Sequence, residues 1–169
     1  AKTTGKVAAM IATSGPGGQN TLNGIAASYY DSMPAIYLTG QINSRFIKPS
    51  KKIRQHGFQE NDIVAMSSPI TKYSVMVTDP NKISYELEKA YYLATSNRPG
   101  PVLIDVPMDI QQAEFVEKDQ IIFDPETVKQ NSEDIEIKSK IQNLIDLIEN
   151  SKRPGLLIGG GVQISQANE

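Results

Sequence analysis

The residues best placed to do chemistry begin with segment 13–20, which reads Thr-Ser-Gly-Pro-Gly-Gly-Gln-Asn. It lies between an apolar run at 7–12 and a helix-like run at 21–30, so we expect a strand, a glycine turn and a helix. A helix start offers free backbone N–H groups, and open α/β sheets bind ligands at the carboxyl ends of their strands. Pro16 removes a donor that a dinucleotide fingerprint needs, and no Gly-Lys-Ser/Thr follows as in a Walker loop. A turn that only joins strand to helix is the alternative.

A single histidine, His56, narrows the catalytic possibilities. Any serine–histidine–carboxylate triad must use it, yet no serine has a nucleophile-elbow setting. The chain has no cysteine, which excludes disulfides and thiolate zinc sites. Gln59 and Glu60 could face a pocket, although capping of a short helix is the interpretation that the pattern favours. Asp105 and Asp109 flank a proline and form no evident acid–base pair. The residues predict a polar site at strand ends and no particular reaction.

Composition narrows the class of protein. The chain has 169 residues, 39% of them hydrophobic and 21% charged, with a formal net charge of −2, which fits a globular domain and not a nucleic-acid surface. No apolar run approaches the length of a membrane span, and the absence of cysteine favours a reducing, cytoplasmic location. The first six residues read like the end of a helix in mid-domain, so we expect a piece of a longer protein.

The elements that must position these residues alternate between strand and helix. Apolar runs at 7–12, 35–39 and 102–106 predict strands buried on both faces, and 70–77 predicts a further strand. Helices are expected at 21–30, at 58–66 and after Asp79 and Pro80, the last with one apolar face made of Ile83, Leu87, Ala90, Tyr91 and Ala94. This order predicts an α/β fold: a doubly wound parallel sheet with helices on both faces, incomplete at the N-terminus.

Towards the C-terminus the pattern changes. Residues 108–134 are polar and contain Pro125, whereas apolar residues from Ile137 to Ile148 recur at helical spacing. Residues 156–158 then predict a strand before three glycines. We therefore assign residues 1–120 to the first domain, 121–134 to a linker and 135–169 to the first αβ unit of a second α/β domain. The basic residues of segment 41–57 predict a solvated face: Arg45, Lys48, Lys51, Lys52 and Arg54.

Several of these segments together resemble a known family. In order along the chain, residues 13–20, 24–34, 39–41, 58–64, 69–72 and 98–102 look like the thiamine diphosphate enzymes of the acetolactate synthase type. Residues 1 to about 115 resemble the second part of the family's pyrimidine-binding domain. The helix from Ile135 and segment 153–161 resemble the opening of its central domain.

The resemblance implies a carboligase that decarboxylates a 2-keto acid such as pyruvate and transfers the product to an acceptor, as in branched-chain amino acid biosynthesis. It implies thiamine diphosphate and Mg²⁺ as cofactors, leaves FAD open, and implies a homo-oligomer, dimer or tetramer, in which two subunits share each cofactor. The alternatives are a 2-keto acid decarboxylase of the same family, a noncatalytic pyrimidine-domain module and an unrelated nucleotide-binding domain.

Site residues follow from the resemblance by position. The family's activating glutamate is expected upstream of Ala1 and its diphosphate-binding domain outside this chain, so no catalytic residue and no metal ligand is assigned here. This chain alone is therefore expected to be inactive and, with one sheet edge uncovered, to self-associate. His56 stands where such synthases often carry a different residue. The resemblance assigns Gly15, Pro16, Asn20 and Gln41 to cofactor binding, and His56, Phe58, Gln59 and Lys72 to the substrate side.

Overall fold

The sheet has four strands, all parallel, in a computed structural model that describes residues 1–50, 52–128, 134–165 and 167. The chain divides into two compact units, Ala1–Pro125 and Glu126–Glu169. The sheet lies in the first unit, and its strand order is β1-β2-β4-β3. The strands are β1 (Ala8–Ala12), β2 (Ala35–Gln41), β3 (Tyr73–Met76) and β4 (Pro101–Pro107).

Helices cover both faces of this sheet, which confirms the predicted fold class. The connections from β1 to β2 and from β2 to β3 run one way across the sheet, and the connection from β3 to β4 runs back. Right-handed crossovers then require helices on opposite faces. Accordingly α2 and α3 pack on one face and α4 on the other. The helices of this unit are α1 (Pro16–Asn20), α2 (Leu22–Tyr30), α3 (Ile63–Ser67), α4 (Ile83–Thr95) and α5 (Met108–Gln111).

Each face of the sheet has its own apolar core. On the first face, Ile25 of α2 and Ile63 of α3 pack on Tyr37 and Leu103. On the second face, Ala90 and Ala94 of α4 pack against Val77, Val102 and Ile104. Alternate residues of β4 point to opposite faces, and every residue of this strand except the half-buried Val106 is buried, so β4 supports both cores.

Strand β1 is not buried on both faces, so that expectation is wrong. It forms one edge of the sheet, and Ile11 is 79% and Met10 47% exposed. Ile11 pairs with Leu38, whose side lies towards α4, but α4 contacts β2 and β4 and does not extend over β1. The apolar composition of β1 therefore reflects a face that this part of the chain leaves uncovered.

Three predicted boundaries shift in the structure. The glycine turn is shorter than expected, because α1 already begins at Pro16. The short helix expected at 58–66 begins only at Ile63, where the Asp62 carboxylate accepts the N–H of Ala65. The Asp79 side chain accepts the Asn81 N–H and caps a short 3₁₀ turn (Pro80–Lys82), so α4 begins only at Ile83, later than the signals at Asp79 and Pro80 predict. On α4 the Leu87 and Tyr91 side chains are exposed, whereas Glu86 is buried instead.

Part of the segment expected to be a linker packs onto α4. Phe123 is buried, with its ring centroid 5.5 Å from that of Tyr85 and 5.7 Å from that of Tyr92. Its backbone N–H donates to Glu88 Oε2 at 3.0 Å, and the Ile121 N–H donates to the Asn81 carbonyl at 2.9 Å. The expected linker spans 121–134, of which residues 129–133 lie outside the described residues. In the structure the boundary between units follows Pro125.

This packing predicts a measurable stability change. The substitution Phe123→Leu is expected to lower the free energy of unfolding by about 1 kcal/mol, because leucine keeps the burial but loses the two aromatic contacts. Phe115→Leu is the matched control, since Phe115 is 61% exposed. Urea denaturation of the two variants checks this. Equal midpoints would show that segment 112–125 is not held by α4.

The second unit is described by itself. It contains helix α6 (Asp134–Glu149), as the helical spacing predicts, and the short helix α7 (Gly160–Ile164). Residues 156–158, expected to form a strand, are exposed and are not paired with any strand in the described part of the chain. None of the helices within the described ranges is both long enough and apolar enough to span a membrane.

Candidate functional site

The candidate site lies where the parallel strands end, because all four strands deliver their following residues to the same edge of the sheet. The turn at Gly15 follows β1, Gln41 is the last residue of β2, and Asp105 lies near the end of β4. A long loop, residues 42–62, connects β2 to α3 across this edge. We call this edge the carboxyl rim.

The turn at Gly15 packs directly against the long loop. Gly15 has φ +62° and ψ −124°, and it is the N-cap of α1. A Cβ atom at Gly15 would lie 2.8 Å from both the Cβ and the carbonyl oxygen of Gln59. Gln59 itself has a positive φ of 61°. Two unusual backbone conformations therefore meet here at close range, and only glycine fits the first of them.

Pro16 and Asn20 form an exposed surface beside this contact. Both residues lie on α1, four positions apart, which places them one above the other on the same face of the helix. Pro16 offers an apolar ring. The Asn20 amide offers a donor and an acceptor, and it has no hydrogen bond to another residue in the part of the chain that the structure describes.

A hydrogen-bonded chain that contains a buried carboxylate links four segments at the rim. Thr39 Oγ1 donates to Asp105 Oδ1 at 2.7 Å, and Gln41 Nε2 donates to Asp105 Oδ2 at 2.9 Å. Gln41 Nε2 also donates to the Asn61 carbonyl at 2.8 Å, and Asn61 Nδ2 donates to the Gly15 carbonyl at 2.9 Å. We call these five residues the Asp105 network. It joins β4, β2, the long loop and the Gly15 turn.

The electrostatics of Asp105 follow from this position. The residue is 1% exposed, and its burial raises the pKa of the carboxyl to about 6. The hydrogen bonds from Thr39 and Gln41 oppose that rise, whereas the nearby Asp62 charge adds to it. Burial disfavours the charged form more than two neutral donors favour it. Asp105 therefore changes protonation close to neutral pH.

Glu60 organises the long loop. Its Oε1 accepts the Lys48 N–H at 2.9 Å, and its Oε2 accepts the N–H groups of His56 at 2.7 Å and Gly57 at 3.3 Å. Burial alone would raise the pKa of Glu60, but these backbone hydrogen bonds outweigh it and hold the pKa below its usual range. The expectation that Glu60 caps the short helix is wrong, because α3 is capped by Asp62.

The loop is also tied down where it leaves β2. The Ser44 backbone N–H donates to Asp109 Oδ1 at 2.8 Å, and Ser44 Oγ donates to Asp109 Oδ2 at 2.5 Å. These hydrogen bonds hold the pKa of Asp109 below its ordinary value. Asp109 and Asp105 therefore hold the loop at different points instead of working as an acid–base pair.

Most of the predicted site residues come together at this rim. The side chains of His56, Phe58 and Gln59 are exposed on the loop, with Phe58 87% exposed. Gln41 is buried, and both its amide nitrogen and its amide oxygen are already hydrogen-bonded within the chain. Gln41 is therefore placed to hold other site residues in position and not to contact a ligand with its amide.

Lys72 is the exception, and its assignment to the substrate side needs correction. It precedes β3 instead of following it, so it lies at the amino-terminal edge of the sheet. Its N–H donates to the carbonyl of Pro101, the first residue of β4, and its Nζ donates to the Ser96 carbonyl at 2.6 Å. Burial lowers the pKa of this lysine. Lys72 holds the loop before β4 and is remote from the carboxyl rim.

Two clefts open at the rim, one on each face of the sheet. The α4-side cleft, about 500 Å³, is lined by Ser14, Gly40, Leu87 and Met108 among others. The α3-side cleft, about 350 Å³, is lined by Lys48, Glu60, Asp62 and Asp105 among others, and Gln41 contributes to both. Pro16 and Asn20 line neither cleft, and both residues are exposed beside the Gly15 turn. Within the described ranges no group of histidine, aspartate or glutamate residues could hold a metal ion.

The sequence alone does not predict the positioning roles of three residues of this site: Glu60, Asn61 and Asp105. A signal existed for Asp105, because a carboxylate inside an otherwise apolar strand needs buried partners. Glu60 and Asn61 carry no comparable signal, since their partners are backbone groups that only the folded loop brings near.

Comparison with known proteins identifies the family to which the rim segments belong. The family described as "Thiamine pyrophosphate enzyme, N-terminal TPP binding domain" matches residues 1–66, which include the Gly15 turn, Gln41 and the long loop. The acetolactate synthase large subunit of Corynebacterium glutamicum is 37% identical over 171 residues, covering 100% of this chain and 26% of that protein. The chain belongs to the thiamine pyrophosphate enzymes of the acetolactate synthase type.

Further relatives of this kind come from distant organisms. The chloroplastic acetolactate synthase of Arabidopsis thaliana is 40% identical over 162 residues, covering 95% of this chain and 23% of that protein. A probable acetolactate synthase large subunit of Methanocaldococcus jannaschii is 38% identical over 170 residues, covering 100% of this chain and 28% of that protein. The chain thus spans about a quarter of the length of the curated relatives it matches.

Proposed function

We propose that this chain forms one wall of the thiamine diphosphate site in a longer carboligase of the acetolactate synthase type. The observation that carries the proposal is the contact of Gly15 with Gln59, which joins the two rim segments to which the resemblance assigns the site. Both segments lie within the residues that match the thiamine pyrophosphate binding domain.

The residues at the rim fit the aminopyrimidine ring of this cofactor. The ring has two apolar faces and an edge of nitrogen donors and acceptors. Pro16 supplies an apolar surface, and the Asn20 amide, one helical turn away, supplies a donor and an acceptor on the same side. We propose that Pro16 and Asn20 contact the ring, while Gly15 allows α1 to start close against Gln59.

When bound, thiamine diphosphate supplies a carbon nucleophile that attacks the keto group of the substrate and accepts the electrons released as carbon dioxide leaves. The chain's own contribution is to bind and orient. Phe58 offers an exposed apolar side chain that would exclude water from the substrate side, and His56 and Gln59 offer polar groups next to it. Asp105 and Glu60 hold the segments that carry these side chains.

The remaining parts of the site are proposed to come from outside this chain. The wall formed by Pro16 and Asn20 is exposed and needs a facing surface, which a homo-oligomer with cofactor shared between subunits would supply. The Mg²⁺ ligands are proposed to lie on that facing surface. The activating carboxylate is proposed to lie upstream of Ala1 in the same polypeptide, as the resemblance implies, and the role of FAD stays open. The proposed substrate is a small 2-keto acid such as pyruvate.

The test is made on the full-length protein. Titration with thiamine diphosphate in the presence of Mg²⁺ is expected to show saturable binding, and pyruvate is expected to give acetolactate. Acetaldehyde without acetolactate would favour the decarboxylase instead. Saturable nucleotide binding with no thiamine diphosphate binding would overturn the proposal.

A matched pair of asparagine variants tests the ring contact. Asn20→Ala is expected to weaken thiamine diphosphate binding about fivefold, because it removes about 1 kcal/mol of hydrogen bonding. Asn23→Ala is the control, since Asn23 is equally exposed on α2 and makes no hydrogen bond with its side chain among the described residues. Isothermal titration calorimetry of both variants measures the change. Equal affinities would remove Asn20 from the site.

A further inference from the structure

In the Asp105 network, the hydrogen bonds of one buried carboxylate connect to two rim segments, the long loop and the Gly15 turn. Thr39 and Asp105 are register partners in β2 and β4, so their hydrogen bond is built into the sheet. Gln41 lies two residues further along β2. Its Nε2 bridges the Asp105 carboxylate and the Asn61 carbonyl. Asn61 in turn donates to the carbonyl of Gly15, the residue that precedes α1.

The direction in which the Gln41 amide points depends on that carboxylate. Its Oε1 accepts the Ile42 N–H at 3.0 Å, and its Nε2 uses both protons, one on Asp105 and one on Asn61. An ionised carboxylate only accepts hydrogen bonds, so it matches the two donors that face it. A protonated carboxyl carries a donor of its own. On Oδ2 this donor opposes the Gln41 amide, which only donates there, whereas on Oδ1 it requires the Thr39 hydroxyl to turn and accept.

We propose that Asp105 is a positioning residue whose ionised carboxylate holds residues 59–61 of the long loop against the Gly15 turn and thereby strengthens the binding of thiamine diphosphate. This rests on the proposed function for the identity of the ligand. The coupling from Asp105 to the loop is a property of the chain itself and is measured without ligand.

The charges around Asp105 support a change in the protonation of its carboxyl near pH 6. Asp62 raises its pKa, and Glu60 and Lys48 line the same α3-side cleft. The Glu60 carboxylate is already occupied by three backbone N–H groups. Burial raises the pKa of Asp105 to about 6 from an ordinary value of 3.8. The folded chain therefore binds this proton more tightly than the unfolded chain does.

Two opposite pH dependences follow from that sign. Between pH 3.8 and about 6, the contribution of Asp105 to the free energy of unfolding falls as pH rises, because the folded state must give up a proton that it holds tightly. The folded network becomes ionised as pH rises through about 6, so loop order and cofactor affinity rise with pH around that value. If Asp105 contributed only to stability, the free energy of unfolding and the cofactor affinity would change with pH in the same direction.

The experiment measures backbone hydrogen exchange in the full-length protein without ligand, from pH 5 to 8, corrected for intrinsic exchange rates. The reporter is the Ile42 N–H, because it donates to the Gln41 amide oxygen. Its protection factor is expected to fall about tenfold in Asp105→Asn, in line with the loss of one charge-assisted hydrogen bond. The Leu103 N–H in the central strand is expected to stay protected. Asp119→Asn, at an exposed aspartate, is the matched control.

A second variant keeps the proposal testable if Asp105→Asn does not fold. Thr39→Val keeps the shape of the side chain and removes the hydroxyl that donates to Asp105. It is expected to move the pH midpoint of Ile42 protection upwards by about one unit, since it removes a hydrogen bond to the ionised form. An unchanged midpoint in Thr39→Val, or unchanged Ile42 protection in Asp105→Asn, would overturn the proposed positioning role.

Thiamine diphosphate with Mg²⁺ is then titrated into the same proteins. The ratio of wild-type to Asp105→Asn affinity is expected to rise about tenfold from pH 5 to 8. Taking this ratio cancels the effect of the cofactor's own ionisation, because that effect is the same for both proteins. A constant ratio would overturn the link between Asp105 and binding. If wild-type protein binds no thiamine diphosphate at any pH, the proposed function fails, whereas Ile42 protection still decides the positioning role.

Discussion

Replacing Gly15 by alanine is expected to destabilise the first unit by about 4 kcal/mol and to abolish thiamine diphosphate binding. Two costs add up. The backbone at φ +62°, ψ −124° is strained for any residue with a Cβ, and this Cβ would lie 2.8 Å from the Gln59 carbonyl oxygen. The neighbour is backbone that the Asp105 network holds in place, so it cannot move aside cheaply.

Gly5→Ala is the control that separates these costs. Gly5 also has a positive φ, +67°, but nothing lies within 4 Å of a Cβ placed there. It is expected to lose about 1 kcal/mol, the cost of the backbone conformation alone. Urea denaturation of both variants gives the difference, and calorimetric titration gives the binding. If the two alanine variants lose equal stability, the contact between Gly15 and Gln59 is not tight.

The local features of the fold were predictable because they depend on residues close together in the chain. The apolar run at 102–106 correctly predicts β4. The signals at Asp79 and Pro80 correctly predict a helix there, although they cap a 3₁₀ turn and α4 begins at Ile83. Burial was harder to predict. Residues 7–12 are as apolar as a central strand, yet β1 is an edge whose cover is not present among the described residues.

The candidate site was predictable only in part, since it depends on contacts between distant residues. The glycine turn and the segment from His56 to Gln59 were recognised, and the structure brings them together. Lys72 is assigned to the substrate side, together with His56 and Gln59, by the resemblance to the family. Its position before β3 places it at the opposite edge of the sheet, a distinction that depends on where a strand begins.

The residues that hold the site share a property that sequence patterns do not express. Asp105 and Glu60 act on partners found across the sheet or across a loop, and several of those partners are backbone groups. The pKa values of these two carboxyl groups are shifted in opposite directions. Burial raises the pKa of Asp105, whereas backbone donors lower the pKa of Glu60 despite its burial. One rim thus contains a carboxylate that destabilises the fold when ionised and another that stabilises it.

Glu60→Ala is expected to lower the free energy of unfolding by about 3 kcal/mol and to release the long loop, because three backbone N–H groups lose a charged acceptor at once. Glu60→Gln is expected to fall between alanine and wild type. The amide oxygen of glutamine can replace one of the two carboxylate oxygens as an acceptor. Its NH₂ group replaces the second oxygen and cannot accept from the backbone N–H groups that face it. Glu117→Ala, at an exposed glutamate, is the matched control. Hydrogen exchange of the Lys48, His56 and Gly57 amides reports on the loop directly.

The pH dependence of the free energy of unfolding tests whether the charge of Glu60 holds the loop. The folded-state pKa of Glu60 lies below its ordinary value of 4.5, so the stabilisation that it contributes is present above that pH and is lost as pH falls through the folded-state pKa. The stability difference between wild type and Glu60→Gln is therefore expected to be constant from pH 6 to 8 and to shrink below pH 4.5. A difference that persists undiminished at pH 3 would mean that the charge of Glu60 does not hold the loop.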